Sequence, residues 1–271
     1  MSTSDDPIEA PAHHAELPRV TLAGTWVHGV TMQQALDVVV ASAARGEGGW
    51  VVTPNLDILH RLVHDASFAE LIEPATLRLA DGMPLVWASR VQGTPLPERV
   101  AGSDMILALC ERAASDGLPV FLLGGDAGVA DEAAEVLRAR YESIDIRGTA
   151  CPPFGFERNE AYYAGLIEQL RLAAPTIVFV ALGCPKQEKL IARLRSDMPD
   201  AWYLGVGISF SFVTGDVARA PGWMRRIGLE WLHRLAQEPR RLARRYLVVG
   251  IPFAVRLLVG SAVARLRGRQ D

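Results

Sequence analysis

Four short segments place reactive groups directly after apolar runs, where a parallel sheet exposes them at its carboxyl edge. Thr53-Pro54-Asn55 offers a hydroxyl and a carboxamide on a turn restricted by proline. A plain helix cap accounts for Asn55 equally well. Asp81-Gly82 offers a carboxylate followed by a residue that lets a ligand or backbone come close, and an ordinary turn aspartate is the alternative. Gly124-Gly125-Asp126-Ala127-Gly128 joins an apolar run to a helical one, so its N–H groups could face a diphosphate. A structural glycine turn fits the same residues. The spacing is not G-x-G-x-x-G, which weakens a dinucleotide reading and leaves a generic phosphate or nucleotide one. Pro185-Lys186-Gln187-Glu188 sets an ammonium, an amide and a carboxylate on the first turn of a helix; capping explains Glu188 but not the whole set.

Metal chemistry has little to stand on. His60 and His64 are one helical turn apart, but no H-E-x-x-H pattern or third ligand accompanies them. The chain contains no D-x-D, so a bound nucleotide diphosphate is expected to meet protein cations or backbone amides, with no metal and no cofactor. Cys110, Cys151 and Cys184 are odd in number and form no C-x-x-C pair, which fits a reducing cytoplasm.

The remaining chemistry lies at the end of the chain. The net charge of −3 conceals an asymmetry: residues 219–271 carry twelve arginines and three acids, or +9, and residues 1–218 carry −12. Attraction to phosphates or anionic lipid is therefore concentrated at one end, with a solvated basic helix as the plain alternative. Arg240 and Arg244, like Arg241 and Arg245, are spaced one helical turn apart and predict a forked guanidinium patch. Leu247 to Ala264 is apolar over a membrane-span length, but Arg256 interrupts its middle and Gly250, Pro252 and Gly260 break it. A helix lying in the membrane plane or covering a groove is expected instead of a span. No nucleic-acid motif or aromatic stacking platform accompanies the arginines, so nucleic acid is not expected as a partner.

The elements that must position these groups alternate. Strands are predicted at Trp50–Val52, Leu77–Ala80, Val120–Leu123, Ile144–Arg147, Thr176–Ala181 and Ala201–Val206. Helices are predicted at Met32–Ala44, Leu56–His64, Met105–Ala114, Gly128–Tyr141, Glu160–Ala173 and Lys186–Arg195, with Thr31, Ser103 and Asp126 near their N-caps. This alternation is that of an α/β fold: an open, mostly parallel sheet with Rossmann-like βα units and a C-terminal helical, arginine-rich appendage. Three regions are expected: a disordered leader over 1–20, an α/β catalytic domain over 21–218, and a membrane- and substrate-associating appendage over 219–271. The leader, with Asp5, Asp6, Pro7, Pro11 and Pro18, lacks the basic start and apolar core of a signal peptide.

Taken in order, these segments resemble the WecG/TagA/CpsF glycosyltransferase family from about Leu22 to Tyr246. The motifs carrying the resemblance are Thr53-Pro54-Asn55, Asp81-Gly82, Arg99-x-x-Gly102-x-Asp104, Gly124-Gly125, Pro185-Lys186-Gln187-Glu188, Arg219-Ala220-Pro221, Glu230-Trp231 with Arg234, and Glu238-Pro239-Arg240. The resemblance implies an inverting, metal-independent hexosyltransferase. It would move a sugar, typically N-acetylmannosamine, from a UDP-sugar to N-acetylglucosamine on a polyprenyl diphosphate, in cell-wall or exopolysaccharide synthesis.

It further implies that Asp81 removes the proton from the attacking acceptor hydroxyl. Thr53 and Asn55 would position a sugar, and Gln187 and Glu188 would lie near the nucleotide. Arg99, Asp104, Gly124 and Gly125 would complete the substrate-binding set. Arg219, Arg234, Arg240, Arg244 and Arg245 would bring positive charge to the UDP leaving group or the lipid diphosphate. The location implied is cytoplasmic, on the inner face of the cell membrane, as a monomer or homo-oligomer. Ser211 stands where many members carry aspartate after Phe210, which removes any role that carboxylate has. Met83-Pro84 follows Asp81-Gly82 at a variable position, which leaves another UDP-sugar, such as UDP-glucose or a UDP-hexuronic acid, as the alternative donor. A nucleotide-binding membrane tether with Asp81 idle is the non-enzymatic alternative, and a nicotinamide oxidoreductase would need the fingerprint the chain lacks.

Overall fold

Periodicity and caps decide the local structure. Thr31 closes a capping box with Gln34 at the start of α1 (Met32–Ala44), because its hydroxyl accepts the Gln34 N–H and the Gln34 side chain accepts the Thr31 N–H. Asn55 caps α2 (Leu56–His64) and Asn159 caps α7 (Glu160–Ala173) through their side-chain oxygens alone, which accept first-turn N–H groups. In the computed structural model, which describes residues 17–268, these helices alternate with short apolar strands. The strands are β3 (Gly49–Val52), β4 (Leu77–Arg78), β5 (Val120–Gly124), β6 (Ile146–Ala150), β7 (Ile177–Ala181) and β8 (Trp202–Gly205). They form one parallel six-stranded sheet in the order β4-β3-β8-β7-β5-β6.

Five of these strands, β3, β4, β5, β7 and β8, are fully buried, as parallel strands covered on both faces must be. One face packs α1, α5 (Gly102–Asp116) and α6 (Val129–Arg140). The other packs α2, α3 (Ala66–Ile72), α7 and α8 (Lys186–Asp197). The layers fit closely. A Cβ on Gly49 would lie 2.5 Å from the indole of Trp202, so glycine in β3 is what lets the largest side chain of β8 into the core.

The expected pattern lacked α3 and the helix Met83–Gln92, and β6 lies two to three residues later than expected; two further features also depart from it. First, Arg19–Leu22 and Thr25–His28 form an antiparallel hairpin, β1 and β2, whose end bridges to Leu79 beside β4. Residues 19 and 20 of the expected leader are therefore strand, and residues 1–16 lie outside the described ones. Second, two caps are displaced: α5 begins after Ala101 and α6 after Gly128. Ser103 consequently sits inside α5, and Asp126 precedes the turn that Gly128 makes at φ +84°. Gly128 provides a left-handed backbone that aspartate adopts reluctantly, which moves the start of the helix past Asp126.

The C-terminal region is helical, as expected. It comprises α9 (Ser209–Thr214), α10 (Gly222–Arg226), α11 (Glu230–Gln237) and α12 (Pro239–Ala243), followed by a π-helical turn over 244–250 and α13 (Ile251–Arg267). Pro239 separates α11 from α12 and opens the latter. The stretch from Pro239 to Arg267 is long and apolar enough to cross a membrane by length and composition alone. Here it covers a groove. Phe253 and Leu257 of α13 are buried with Val20, Leu22 and Val27 of the hairpin and Leu85 and Ala88 of α4 (Met83–Gln92). Each such side chain contributes about 1.5–3 kcal/mol when fully buried, so the appendage is fastened to the body by a core of its own.

Candidate active site at the carboxyl edge of the sheet

Strand order converts scattered motifs into one row. Reading along the carboxyl edge, β4 delivers Asp81, β3 delivers Thr53 and Asn55, β7 delivers Gln187 and Glu188 through the start of α8, and β5 delivers Gly124 and Gly125. Three strand spacings separate β4 from β7, roughly 14 Å at about 4.8 Å each.

Asp81 is the focus. Its N–H donates to Pro54 O (2.9 Å), which ties the turn after β4 to the turn after β3. Its carboxyl group is turned inward at the start of α5 and accepts the Gly102 N–H. Thr53 Oγ1 lies 3.0 Å from where a side chain on Gly102 would begin, so glycine there brings threonine, aspartate and helix start together. Burial pushes the Asp81 carboxyl from its ordinary 3.8 up to about 7; Arg99 pulls it down, and the nearby Glu230 and Asp104 push it up. A carboxyl held near neutrality can both take and return a proton.

Around it lies a network joining body and tail. Arg99 donates to Asp104 Oδ2 (3.1 Å) and Glu230 Oε2 (2.8 Å). Arg219 reaches Asp104 Oδ1 (2.7 Å), Glu230 Oε1 (3.6 Å) and the Ser103 hydroxyl (2.8 Å). Arg225 adds a third guanidinium on Asp104 Oδ1 (3.1 Å). Arg99 is the guanidinium that acts on Asp81, while Arg219 and Arg225 compensate the Asp104 and Glu230 carboxylates beside it. Sequence reasoning missed Arg225, Ser103 and Glu230 as site residues. Glu230 stood in a quoted motif, whereas nothing local distinguishes Arg225 from its neighbour Arg226.

The other expected residues fall into three groups. Asn55 Oδ1 accepts the N–H groups of Asp57 and Ile58, so the cap occupies its oxygen and leaves its amide nitrogen for other partners. Gln187 Oε1 accepts the Gly207 N–H (3.1 Å), and its amide donates to Glu188 Oε1 (2.9 Å). Glu188 is buried, which raises its carboxyl above the usual range, and its Oε2 has no hydrogen-bond partner among the described residues. Gly124 is explained by packing, since a Cβ would meet Ala181 O at 2.5 Å, and the Gly125 N–H already donates to that oxygen (2.7 Å). Asp131 and Glu132 on the first turn of α6 add negative charge beside this loop.

The tail arginines divide as well. Arg219 and Arg234 both sit over the Phe212 ring, each 5.8 Å from its centre, which places Arg234 beside the network. Arg241 pairs with Glu238 and Arg245 with Asp57 (3.0 Å), so two members of the expected four-arginine patch are already compensated. Arg240 and Arg244 are exposed and make no ion pair among the described residues. The Nε–H groups of Arg225, Arg234 and Arg245 are buried without an acceptor among the described residues, leaving donors to spare near the site. No group of three or more His, Cys, Asp or Glu side chains gathers into a metal-sized cluster among the described residues.

The whole arrangement, from hairpin to appendage, matches the family model for the WecG/TagA/CpsF glycosyl transferases over residues 20–267. The chain belongs to that family. It is accordingly a transferase, and membership implies a sugar-nucleotide donor and an acceptor, in membrane-associated polysaccharide synthesis. In this glycosyltransferase Ser211 occupies the third position of α9, where its backbone oxygen accepts the Val217 N–H (3.1 Å) and closes the loop leading to Arg219. That role belongs to the backbone and does not depend on the side chain at this position.

Proposed function

We propose that this protein transfers a hexose, most simply N-acetylmannosamine, from a UDP-sugar to N-acetylglucosamine on a polyprenyl diphosphate, inverting the anomeric centre without a metal. The observation carrying this reading is Asp81: a carboxyl held near neutrality at the sheet edge, under a lid of arginines contributed by both body and tail. As base it takes the proton of the acceptor hydroxyl while that oxygen attacks the anomeric carbon and the bond to the UDP oxygen breaks. Such positioned proton transfer contributes about a hundredfold to ten-thousandfold. Negative charge grows on the departing diphosphate, and the spare guanidinium donors of Arg225 and Arg234 suit that charge.

Thr53 and the Asn55 amide would orient a sugar next to Asp81, and Gln187 with Glu188 would meet the nucleotide further along the row. The exposed Arg240 and Arg244 suit an anionic membrane surface, consistent with work at the cytoplasmic face. Turnover of a panel of UDP-sugars (N-acetylmannosamine, glucose, a hexuronic acid) with an N-acetylglucosaminyl-diphospho-lipid tests the reading. UDP-N-acetylmannosamine is expected to give the highest kcat/KM; preference for another donor would keep the mechanism and change the sugar, and no transfer from any would reject the proposal.

A further inference from the structure

A cavity lies away from Asp81, between the β1–β2 turn, the end of α4 and the inner side of α13, with a volume of about 800 Å³. That size is within the range of ligand pockets. Small residues line it, Gly24 and Gly93 from the body and Gly260, Ser261 and Ala264 from α13, with Phe253 and Leu257 also in the wall. These small residues leave room for an apolar chain. Arg256 and Arg265 stand on opposite flanks of the helix face that lines the cavity, and none of its lining residues is acidic. Arg256 makes no hydrogen bond or ion pair among the described residues, and Arg265 only a long one to Val91 O (3.5 Å).

The opposite side of the same helix is a second, independent feature. Ile251, Val255, Val259 and Leu266 are exposed and recur at helical spacing, directly opposite Phe253 and Leu257. A helix resting on a bilayer by that stripe carries Arg256 and Arg265 at the level of lipid phosphates, with the groove opening beside them.

We infer that this groove binds one anionic glycerophospholipid of the membrane, one acyl chain lying along Gly260, Ser261 and Ala264 and the headgroup phosphate meeting Arg265, at the end away from Phe253 and Leu257. The site is separate from sugar transfer and does not depend on it. Charge complementarity selects the headgroup: a guanidinium in a lining without a carboxylate favours phosphatidylglycerol over zwitterionic phosphatidylcholine.

The test uses the full chain, delipidated and then incubated with dioleoylphosphatidylglycerol, dioleoylphosphatidylcholine or farnesyl diphosphate, with retained lipid counted by native mass spectrometry. One phosphatidylglycerol per chain is expected, with at least tenfold less phosphatidylcholine. Gly260→Leu fills the groove from a position with open space at its Cβ, leaving every charge and the outer stripe in place. It is expected to cut retained lipid at least tenfold while sedimenting with phosphatidylglycerol vesicles like the parent. Should circular dichroism show Gly260→Leu misfolded, Ala264→Leu on the same wall is read instead. A folded groove-filling variant that keeps its lipid, a parent chain that retains none, or retention of farnesyl diphosphate in preference to phosphatidylglycerol would each overturn the assignment.

Discussion

Replacing Asp81 with asparagine is expected to stabilise the protein, and the pH dependence of that gain follows from the site. The Asp81 carboxyl moves from 3.8 to about 7 on folding, chiefly because burial penalises its charged form. Between those values the unfolded chain has released the proton and the folded chain keeps it. The folded state therefore binds more protons, and stability falls as pH rises from about 4 to about 7, levelling beyond. A shift of about three units corresponds to a ceiling of about 4 kcal/mol at 1.36 kcal/mol per unit. Partial solvent access at the mouth reduces the expected gain to about 1–3 kcal/mol. Asparagine keeps an oxygen for the Gly102 N–H and carries no charge. The expected rise in Tm is about 2–4 °C per kcal/mol, so roughly 2–12 °C at pH 8 and close to zero at pH 4. Paired thermal melts of parent and Asp81→Asn across pH 4–8 measure it directly. A variant less stable than the parent at pH 8, or a difference independent of pH, would refute the claim that this carboxyl is held against its burial cost.

Three further outcomes follow from the same geometry. The acid limb of the kcat/KM profile is expected near pH 7; Glu230→Gln removes a charge that raises Asp81 and should move that limb down by on the order of one unit, while Arg99→Gln should move it up. Exchanging the unpaired Arg240 and Arg244 for glutamine is expected to weaken partition onto anionic vesicles by about 1 kcal/mol each, roughly fivefold per residue at low salt and less at high salt, as read by sedimentation. Gly49→Ala should cost about 1–3 kcal/mol in chemical denaturation, because the new methyl would stand 2.5 Å from the Trp202 ring.

What the chain discloses before folding depends on how local the determinant is. The strands and helices carrying Thr53, Asp81, Gly124 and Gln187 were legible because each is an apolar run next to a periodic one, and α1, α2 and α7 occupy the predicted bounds. The β1–β2 hairpin was not, because its turn uses Ala23 at φ +49° ahead of Gly24, where a turn signal would be Asn-Gly. The row of site residues depends on strand order, which spacing alone does not state. The balance of Arg99, Arg219 and Arg225 against Asp104 and Glu230 needs Glu230 brought to Arg99, and Arg219 and Arg225 brought to Asp104, each across more than a hundred residues. Cutting the tail off at Arg219, a natural experiment from the sequence alone, is a poor one in view of the structure: it would also remove Phe253 and Leu257 from a shared core. Point substitutions separate charge from packing.

The central claim is that Asp81 is the base of a sugar transfer. Single-turnover kinetics of the parent and Asp81→Asn with the preferred UDP-sugar and lipid-linked acceptor, beside calorimetric UDP binding to both, tests it most directly. The account predicts a loss in rate of about a hundredfold to ten-thousandfold with UDP affinity unchanged within a factor of about three. Transfer by Asp81→Asn within tenfold of the parent would contradict it.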